Sequence, residues 1–582
     1  MKRVLSILIA GIWLCGSLYA EDIKLDRHLN DKVKAHKQEK ATPGNKGSKG
    51  KEKVRVILKF IPSLKAGAEA ESRKHGATER KRFKLLSGSV VDMTVDELEE
   101  LAKHPGVHSI SLDAPMKMSA NAGLSGSHLR TTTGATQALA AYGASGAGIG
   151  IAIVDSGISK VQDLSNVVKR VDFTAAKVTG TGNTDPFGHG THVAGLAAGK
   201  GTSSNGKYRG IAPNASLIDL RVLDNKGAGY TSDVIEAVEW AITNRNALGD
   251  NGLPMNIRVI NLSLGHVAFE RTATDPLAAI CREAVRQGLV VVVSAGNLGK
   301  DANGKTVYGS ITSPGTEPAV LTVGAMTTWG TNVRSDDAVA TYSSRGPTYF
   351  DHFAKPDLVA PGSGLIGPKS SGSELEMKNP GISIDKNYVK LSGTSMAAPV
   401  VAGAVALLLE KKPGLTPNAV KGILMYTAER RRENNVMDVG AGYLNIIGAT
   451  NMAVNINTGA AQNAYWILNN GLGLNYTNVI AASPVPWNRG ILWGRKMYKA
   501  GSLMNYNKNI WSQTIVWDET IVWDETIVWD ETIVWDETIV WDETIVWDET
   551  IVWDESIFGQ SAEIAPSPEN AALGEITEVE EF

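Results

Sequence analysis

From about residue 130 onward, strand-length apolar runs alternate with longer segments of helical character. The runs are nearly continuous in Val and Ile, as in strands that are buried on both faces of a sheet. The predicted strands are 149–154, 217–222, 259–263 and 289–294, and the predicted helices are 231–247, 274–287 and 396–411. This alternation predicts an α/β fold with a mostly parallel sheet and helices on both of its faces.

Polar residues at the carboxyl ends of such strands are the first candidates for chemistry, because ligand sites in open parallel sheets lie there. Asp155 ends a predicted strand in the motif GIAIVDSG. His189 begins a helix of small residues in the motif GHGTHVAG. Ser395 begins the longest apolar helical segment, in the motif LSGTSMAAP. A helix start offers free backbone N–H groups, so a serine there could attack a carbonyl beside a ready hydrogen-bond donor.

Each of these residues also has an ordinary structural interpretation. Ser395 and Asp155 could be helix caps, and Asn297 could be a turn residue. A reactive serine needs a base, usually histidine, and the histidine needs a carboxylate that holds its tautomer. The order Asp, His, Ser along the chain is one of three known for such a triad. His192, three residues after His189, is the alternative base.

Further motifs follow one another in a fixed order along the same stretch of the chain. They are INLSLG at 260–265, VSAGN at 293–297, YSSRGP at 342–347, KPDLVAPG at 355–362 and GTSMA at 393–397. With the Asp and His motifs, they make residues 125–455 resemble the subtilase family of serine peptidases. The resemblance implies a subtilisin-like fold and a catalytic triad. Ser395 would be the nucleophile, His189 the general base and then acid, and Asp155 the residue that orients the histidine.

The resemblance also assigns roles around the triad. Asn297 and the backbone N–H of Ser395 would form the oxyanion hole, and His192 would be structural. An extended peptide would pair as an added strand with two backbone segments. The substrate-binding residues would be Gly227, Ala228 and Gly229 in one segment, Ser263, Leu264 and Gly265 in the other, and Ala295 and Gly296 in the pocket wall.

The identity of nearby residues predicts the character of the specificity pocket. Leu298 and Thr312 stand where some relatives have a Glu and a Gly near the pocket base. His266 replaces a second glycine that usually follows the SLG segment. These differences predict a shallow, fairly apolar pocket that prefers medium-sized apolar or aromatic side chains.

No cofactor is expected for the chemistry, but the resemblance raises the question of a structural calcium ion. Asp163 resembles an aspartate that some subtilases use for calcium. The usual partner loop is not recognisable in 200–209. A lone aspartate is ordinarily a solvated or capping residue, so a calcium site at Asp163 and the absence of one both remain open.

The first twenty residues have a charged start, an apolar core too short to span a bilayer comfortably, and a small-residue end. They predict a secretory signal peptide at 1–20, with a membrane anchor and a lipoprotein cysteine at Cys15 as alternatives. We therefore expect a secreted or cell-surface protein. Removal of the signal peptide, which contains Cys15, would leave Cys281 as a single thiol without a disulfide partner.

Two segments separate the signal peptide from the peptidase-like region. Residues 21–53 are rich in Lys, Gly, Pro and Ser and predict a flexible basic linker. Residues 54–118 show the order strand-helix-strand-strand-helix-strand of a small ferredoxin-like sandwich. This unit resembles the inhibitory propeptide of subtilases, which assists folding and blocks the cleft until it is cut; the alternative is an unrelated small domain. The self-cleavage site is predicted within 118–124.

Beyond the peptidase-like region, residues 456–513 predict an irregular extension, and 556–582 an acidic disordered end. Between them, at 514–555, the hexapeptide TIVWDE occurs seven times without change. An even period keeps each residue type on one face of a strand, with Thr, Val and Asp opposite Ile, Trp and Glu. The repeat could be a spacer, a surface attachment, a self-assembly segment or a cation ladder.

Charge is distributed unevenly along the chain. The formal net charge is −3, residues 1–118 carry +8, and the remainder therefore carries −11. The 14 acidic residues of the repeat exceed that value, so the rest of the mature chain is close to neutral. The sequence thus predicts a secreted serine endopeptidase, made as a self-processed zymogen, with protein or peptide substrates and no nucleic-acid partner. The alternatives are a binding protein on an inactive scaffold, and a surface-associated structural or adhesive protein whose peptidase serves its own maturation.

Overall fold

The computed structural model describes residues 24–41, 53–116, 128–174, 184–431, 434–468, 474–499 and 504–512. The predicted signal peptide, cleavage region, hexapeptide repeats and acidic end lie outside the described residues. The chain divides into two compact units. The first, called the N-terminal unit, comprises Met1–Asp113 and Phe269–Pro276, and the second, called the main unit, comprises Ala114–Ala268 and Leu277–Phe582.

The N-terminal unit contains the predicted ferredoxin-like sandwich. Its strands are β1 (Lys53–Phe60), β2 (Thr78–Arg82), β3 (Gly88–Thr94) and β4 (Val107–Leu112), and its two helices between strands are Lys65–Lys74 and Val95–Ala102. The strands form an antiparallel sheet in the order β2-β3-β1-β4. The predicted βαββαβ order is confirmed.

An α-helix, Arg27–Ala41, occupies part of the segment predicted to be a flexible linker, so that prediction was wrong for these residues. Leu29 and Val33 are four positions apart on this helix, and both are buried in the core of the N-terminal unit. The preceding Leu25 forms a parallel bridge to Ile110. A lysine-rich average composition hid an apolar stripe that tertiary packing stabilises as a helix.

The main unit is built on an eight-stranded sheet. Its strands are β6 (Gly150–Asp155), β7 (Val167–Asp172), β8 (Ser216–Arg221), β10 (Ile257–Leu262), β11 (Val290–Ser294), β12 (Leu321–Thr327), β13 (Ala338–Val339) and β14 (Leu358–Pro361). Two short strands, β5 (Pro115–Met116) and β9 (Gly229–Tyr230), lie outside this sheet. The sheet order is β13-β12-β11-β10-β6-β8-β7, with β14 beside β12. All neighbours are parallel except β13, which confirms the predicted mostly parallel sheet.

The main unit also contains helices. They are Leu129–Thr132, Ala135–Tyr142, His189–Ala198, Thr231–Thr243, Pro276–Arg286, Glu374–Lys378, Thr394–Lys411, Pro417–Thr427, Val436–Val439 and Ile446–Val454, and single 3-10 turns lie at Pro62–Leu64, Gln162–Leu164, Thr202–Ser204 and Pro380–Ile382. Thr394–Lys411, called the Ser395 helix, is apolar around most of its circumference and packs on β10, β11 and β12. By length and composition it is the one helix in the described residues that could cross a membrane, but 89% of it is buried inside the protein, as expected of a core helix.

The C-terminal extension is folded in its described part, so the prediction of an irregular segment was wrong there. Strands β15 (Leu365–Pro368) and β16 (Tyr388–Leu391) form an antiparallel pair before the extension begins. The extension contains the hairpins β17–β18 (Thr477–Ile480, Ser483–Pro486) and β19–β20 (Gly490–Trp493, Lys496–Lys499) and the helix Asn509–Ser512. Four tryptophans of the extension are buried in the core of the main unit: Trp466, Trp487, Trp493 and Trp511. Their irregular spacing gave no periodic signal, yet their burial makes the extension part of the main unit.

Candidate active site

Asp155 is the last residue of β6, a strand that lies between β8 and β10 near the centre of the sheet. Its carboxylate is fully buried and accepts hydrogen bonds from the Nδ1–H of His189, at 3.0 and 3.1 Å, and from the backbone N–H of Ser156, at 2.7 Å. The predicted pairing of Asp155 with His189 is therefore present in the geometry. A carboxylate on Nδ1 fixes the tautomer in which Nε2 is the free base.

His189 is the first residue of the helix His189–Ala198, and it is buried. The preceding Gly188 has φ of +100°, a conformation that a residue with a side chain rarely adopts, so the turn into the helix depends on glycine. The Nε2 atom of His189 is buried and has no hydrogen-bond partner among the residues that the structure describes. It is therefore available to a group that enters the site.

Asp185, which the sequence motifs did not identify, lies beside the first turn of the helix that carries His189. Its buried carboxylate accepts from the backbone N–H of Gly188 and of Thr191, both at 2.8 Å, and from the hydroxyls of Thr191 and Ser156, at 2.6 and 2.8 Å. Burial raises the pKa of Asp185, while these hydrogen bonds oppose the rise. The residue thus caps the first turn of the helix that carries His189. Its position four residues before the histidine was the available signal.

His192, the alternative base, lies on the same helix but makes a structural contact. Its Nε2–H donates to the carbonyl of Leu365 at 3.0 Å, and the ring is fully buried. Burial lowers the pKa of His192 to about 3, so the ring is neutral. This environment agrees with the interpretation of His192 as a structural residue.

Ser395 is the second residue of the Ser395 helix and is 4% exposed. It follows the strand β16, so the chain passes from strand to helix as the motif indicated. The hydroxyl of Ser395 donates to the backbone carbonyl of Ser263 at 2.9 Å rather than to His189. The predicted contact between nucleophile and base is therefore not made in this conformation.

Asn297 is linked to the start of the same helix through Thr394. The Asn297 Oδ1 accepts from the backbone N–H of Thr394 at 2.9 Å and from its hydroxyl at 3.0 Å. The Thr394 hydroxyl also donates to the carbonyl of Gly296 at 3.1 Å. Because Oδ1 is held by Thr394, the side-chain NH₂ of Asn297 lies on the other side of the amide. That orientation suits a donor for an oxyanion formed at Ser395.

One of the two predicted peptide-binding segments carries an added strand. The chain's own β5 pairs antiparallel with β9, with Pro115 opposite Tyr230 and Met116 opposite Gly229. The backbone N–H of Thr231 continues the pairing with a bond of 3.1 Å to the carbonyl of Ala114. The segment that contains Gly229 therefore pairs with an extended segment of the chain itself.

Steric constraints explain why glycine occurs in both predicted peptide-binding segments. A Cβ on Gly229 would lie 2.3 Å from the carbonyl oxygen of Val222, and one on Gly265 would lie 2.7 Å from that of Ser313. Gly227 has φ of +73° in the turn that precedes β9. Ala228 completes this turn by accepting a backbone bond of 2.8 Å from Asp224. Only glycine lets these backbones approach so closely.

The pocket-wall residues adjoin Thr312, as expected from the sequence. The backbone N–H of Thr312 donates to the carbonyl of Ala295 at 3.1 Å. A Cβ built on Gly296 would meet the Thr312 side chain at 2.7 Å, so the Gly296 backbone packs closely against that side chain. Leu264 is buried, whereas Leu298 is 40% exposed. Thr312 and Leu298 therefore both border the strand end where the pocket is expected.

Asp163 does not fit a calcium ligand. Its buried Oδ1 accepts from the backbone N–H of Ser203 at 2.6 Å, and its Oδ2 accepts from the hydroxyl of Tyr388. A polar cavity of about 570 Å³ lies beside it, and Lys369 and Lys386 contribute to its lining. Calcium is bound by six to eight oxygen ligands, and no group of three or more His, Cys, Asp or Glu in the described part of the chain is placed to hold a metal. Each carboxylate oxygen of Asp163 therefore already accepts a hydrogen bond.

Three comparisons place the chain among known proteins. A protein-family model described as the subtilase family matches residues 146–448. Serine protease AprX of Bacillus subtilis (strain 168) is 32% identical over 405 residues, covering 68% of this chain and 87% of that protein. Subtilisin E of the same strain is 30% identical over 409 residues, covering 68% and 90%.

A solved structure agrees on the fold. The crystal structure of fervidolysin from Fervidobacterium pennivorans, described as a keratinolytic enzyme related to subtilisin, has a TM-score of 0.53 at 21% sequence identity. The match covers 69% of this chain and 61% of that chain. At this identity the likeness bears on the fold alone.

Proposed function

Because the chain belongs to the subtilase family and is a serine endopeptidase, we propose that it cleaves peptide bonds with Asp155, His189 and Ser395 as its triad. The observation that carries this assignment is the buried Asp155–His189 pair at 3.0 Å, with Nε2 left available. The position of Ser395 at the start of a buried helix, within the GTSMA motif that resembles the family's serine motif, supports its assignment as the nucleophile.

Catalysis on these residues begins with a rotation of the Ser395 side chain from the Ser263 carbonyl towards Nε2 of His189. As the serine oxygen attacks the carbonyl carbon, Nε2 takes the hydroxyl proton, and Asp155 stabilises the imidazolium that forms. The C–N bond then breaks while the imidazolium gives its proton to the leaving amine. Water attacks the resulting acyl-enzyme by the same route, with His189 again the base, and releases the carboxylate product.

The negative charge of each tetrahedral intermediate needs donors that are already in place. Asn297 supplies its side-chain NH₂ and Ser395 its backbone N–H, which belongs to the unsatisfied first turn of a helix. The bonds from Thr394 to Asn297 Oδ1 support this role because they set the orientation of the amide.

Peptide substrates are proposed to bind as an added strand on Gly227–Gly229 and on Ser263–Gly265. The pairing of Pro115 and Met116 with β9 supports this proposal, since the chain's own segment already uses that edge. We further propose that residues 54–118 form an inhibitory propeptide and that the precursor cuts itself within 118–124, shortly after Met116. Export through the predicted signal at 1–20 completes the proposal of a secreted zymogen.

Two measurements test this function. The wild-type chain should be labelled at Ser395 by an organophosphonate and should hydrolyse casein, and Ser395→Ala should do neither and should accumulate as the uncut precursor. Normal maturation of Ser395→Ala would refute self-processing. Cleavage of peptides that vary only at the residue before the cut should favour apolar or aromatic side chains, and a strong preference for Lys or Arg would refute the pocket assignment.

The seven identical hexapeptides favour a second candidate function. In this alternative the chain is a surface protein whose peptidase serves mainly its own maturation. Deleting 514–555 separates the two. Loss of surface attachment with intact casein hydrolysis would assign the repeat to attachment. Labelling at Ser395 without hydrolysis of any added protein would favour the second function over the first.

A further inference from the structure

Ser263 and Ser395 are joined by two reciprocal hydrogen bonds. The hydroxyl of Ser263 donates to the backbone carbonyl of Ser395 at 2.8 Å, and the hydroxyl of Ser395 donates to the backbone carbonyl of Ser263 at 2.9 Å. Ser263 is fully buried and Ser395 is 4% exposed, so water does not compete for these groups. The side chain of Ser263 therefore has a contact that strand addition of a peptide, which uses backbone groups, does not explain.

A proline in the Ser395 helix explains why the backbone carbonyl of Ser395 needs the hydroxyl of Ser263 as a donor. In an α-helix that carbonyl accepts from the backbone N–H four residues later. Here the fourth residue is Pro399, which lies inside the helix and has no N–H. A buried carbonyl without a partner is costly. The hydroxyl of Ser263 supplies the hydrogen bond that Pro399 cannot.

A third residue orients the donor. The side-chain NH₂ of Asn261 donates to the Ser263 hydroxyl oxygen at 2.9 Å, and Asn261 is fully buried. Because that oxygen already accepts from Asn261, its proton points towards the Ser395 carbonyl. The end of β10 is thereby connected by side chains to the first turn of the helix that carries the nucleophile.

We propose that the Ser263 side chain is a positioning residue for the nucleophile, fixing the first turn of the Ser395 helix in place of the hydrogen bond that Pro399 removes. This inference rests on the proposed function, in which Ser395 is the nucleophile. The same bond also orients the Ser395 backbone N–H, the second donor of the oxyanion hole. Its loss should therefore affect turnover more than peptide binding, because the backbone of Ser263 remains.

A double-mutant cycle tests the proposal with Ser263→Ala, Pro399→Ala and the double variant. Ser263→Ala should lower kcat about 10- to 100-fold, the factor expected when a buried carbonyl loses its donor, with KM nearly unchanged. Pro399→Ala restores a backbone N–H four residues after Ser395. The double variant should therefore recover kcat to within about threefold of Pro399→Ala alone, and active-site titration with the organophosphonate should normalise each rate to competent sites.

Each outcome decides the question. A double variant as impaired as Ser263→Ala would overturn the proposal, and so would a Ser263→Ala variant with wild-type kcat. If Ser263→Ala folds poorly, the double variant should restore its thermal midpoint; failure to do so counts against the proposal. Retained activity in Ser395→Ala would instead refute the proposed function itself, so the two failures can be told apart. Asn261→Ala should cause a smaller loss of kcat in the same direction.

Discussion

At the scale of single residues, side chains that do no chemistry set the geometry of those that do. Thr394 holds Asn297 by its amide oxygen, and Asp185 holds the first turn of the helix that carries His189. In each case a side-chain oxygen accepts from a backbone N–H at a helix start, where these groups lack partners within the helix. The family motif names the reacting residues, but the hydrogen bonds show which neighbours keep them in place.

Asn297→Ala tests the oxyanion assignment. Removal of one such donor should lower kcat about 10²–10³-fold with little change in KM, because the donor acts on charge that develops only in the transition state. Leu253→Ala is the control, because this exposed side chain belongs to neither the predicted peptide-binding segments nor the pocket, so kcat should stay within about threefold. Steady-state kinetics on one peptide substrate provide the comparison. A loss that appeared only in KM would contradict the assignment.

At the scale of elements, the N-terminal unit contains buried acids whose ionisation should weaken it. Asp26 is buried, accepts from the backbone N–H of Leu29 at 2.8 Å and interacts with Asp275, and burial raises its pKa from 3.8 to about 6. Burial likewise raises the pKa of Glu270, which adjoins both acids. The folded unit therefore binds a proton that the unfolded chain releases.

The stability that Asp26 contributes is fully present below about pH 4 and is lost as the pH rises to about 6. In the Ser395→Ala precursor, corrected hydrogen exchange at Leu29 should accelerate roughly 10- to 100-fold between pH 4 and pH 7. Asp26→Asn should flatten this dependence, whereas Asp31→Asn, a more exposed acid on the same helix, should not. Equal protection at both pH values would contradict the prediction.

The contacts of Asp163 predict a response to chelation opposite to the response that a bound calcium ion would give. Because the backbone of Ser203 and the hydroxyl of Tyr388 satisfy the Asp163 carboxylate, chelation should leave the thermal midpoint unchanged. Tyr388→Phe should lower the free energy of unfolding by about 1–3 kcal/mol, since it leaves a buried carboxylate oxygen without its donor. Tyr230→Phe, at an exposed position, is the control. A midpoint that falls with chelator would restore the calcium hypothesis.

At the scale of the whole molecule, the extension completes the core of the main unit. Trp511 is 1% exposed and lies against Gly422, where a Cβ would approach its ring to 2.6 Å. Trp493 stands 6.5 Å from it, centroid to centroid. The boundary predicted near residue 455 therefore falls inside a packed unit rather than between two.

Truncation should reveal this difference. A chain that ends at Gln513 should keep its thermal midpoint and activity, whereas one that ends at Asn455 should lose its fold, because it exposes the core that four tryptophans cover. Trp511→Ala should cost about 3–5 kcal/mol in the free energy of unfolding. Trp329→Ala, at a position that is 52% exposed, should cost less than about 1 kcal/mol. Equal effects of the two substitutions would refute the packing argument.

The sequence by itself determined the α/β class, the order of the elements and the family, because apolar periodicity and short motifs are local properties. It also identified Asp155, His189, Asn297 and Ser395 as candidates for one site. Positions at strand ends and helix starts made these residues candidates, since parallel strands bring those ends to one edge. The resemblance to the subtilase family then supplied their expected roles.

Only the tertiary structure decided what depends on distant partners. It showed a helix at Arg27–Ala41 and a folded extension, where long-range burial outweighs composition. It placed hydrogen-bond donors on both carboxylate oxygens of Asp163. It also brought Ser263 to the carbonyl that Pro399 leaves without a helical donor, a contact across 132 residues that no local pattern can predict.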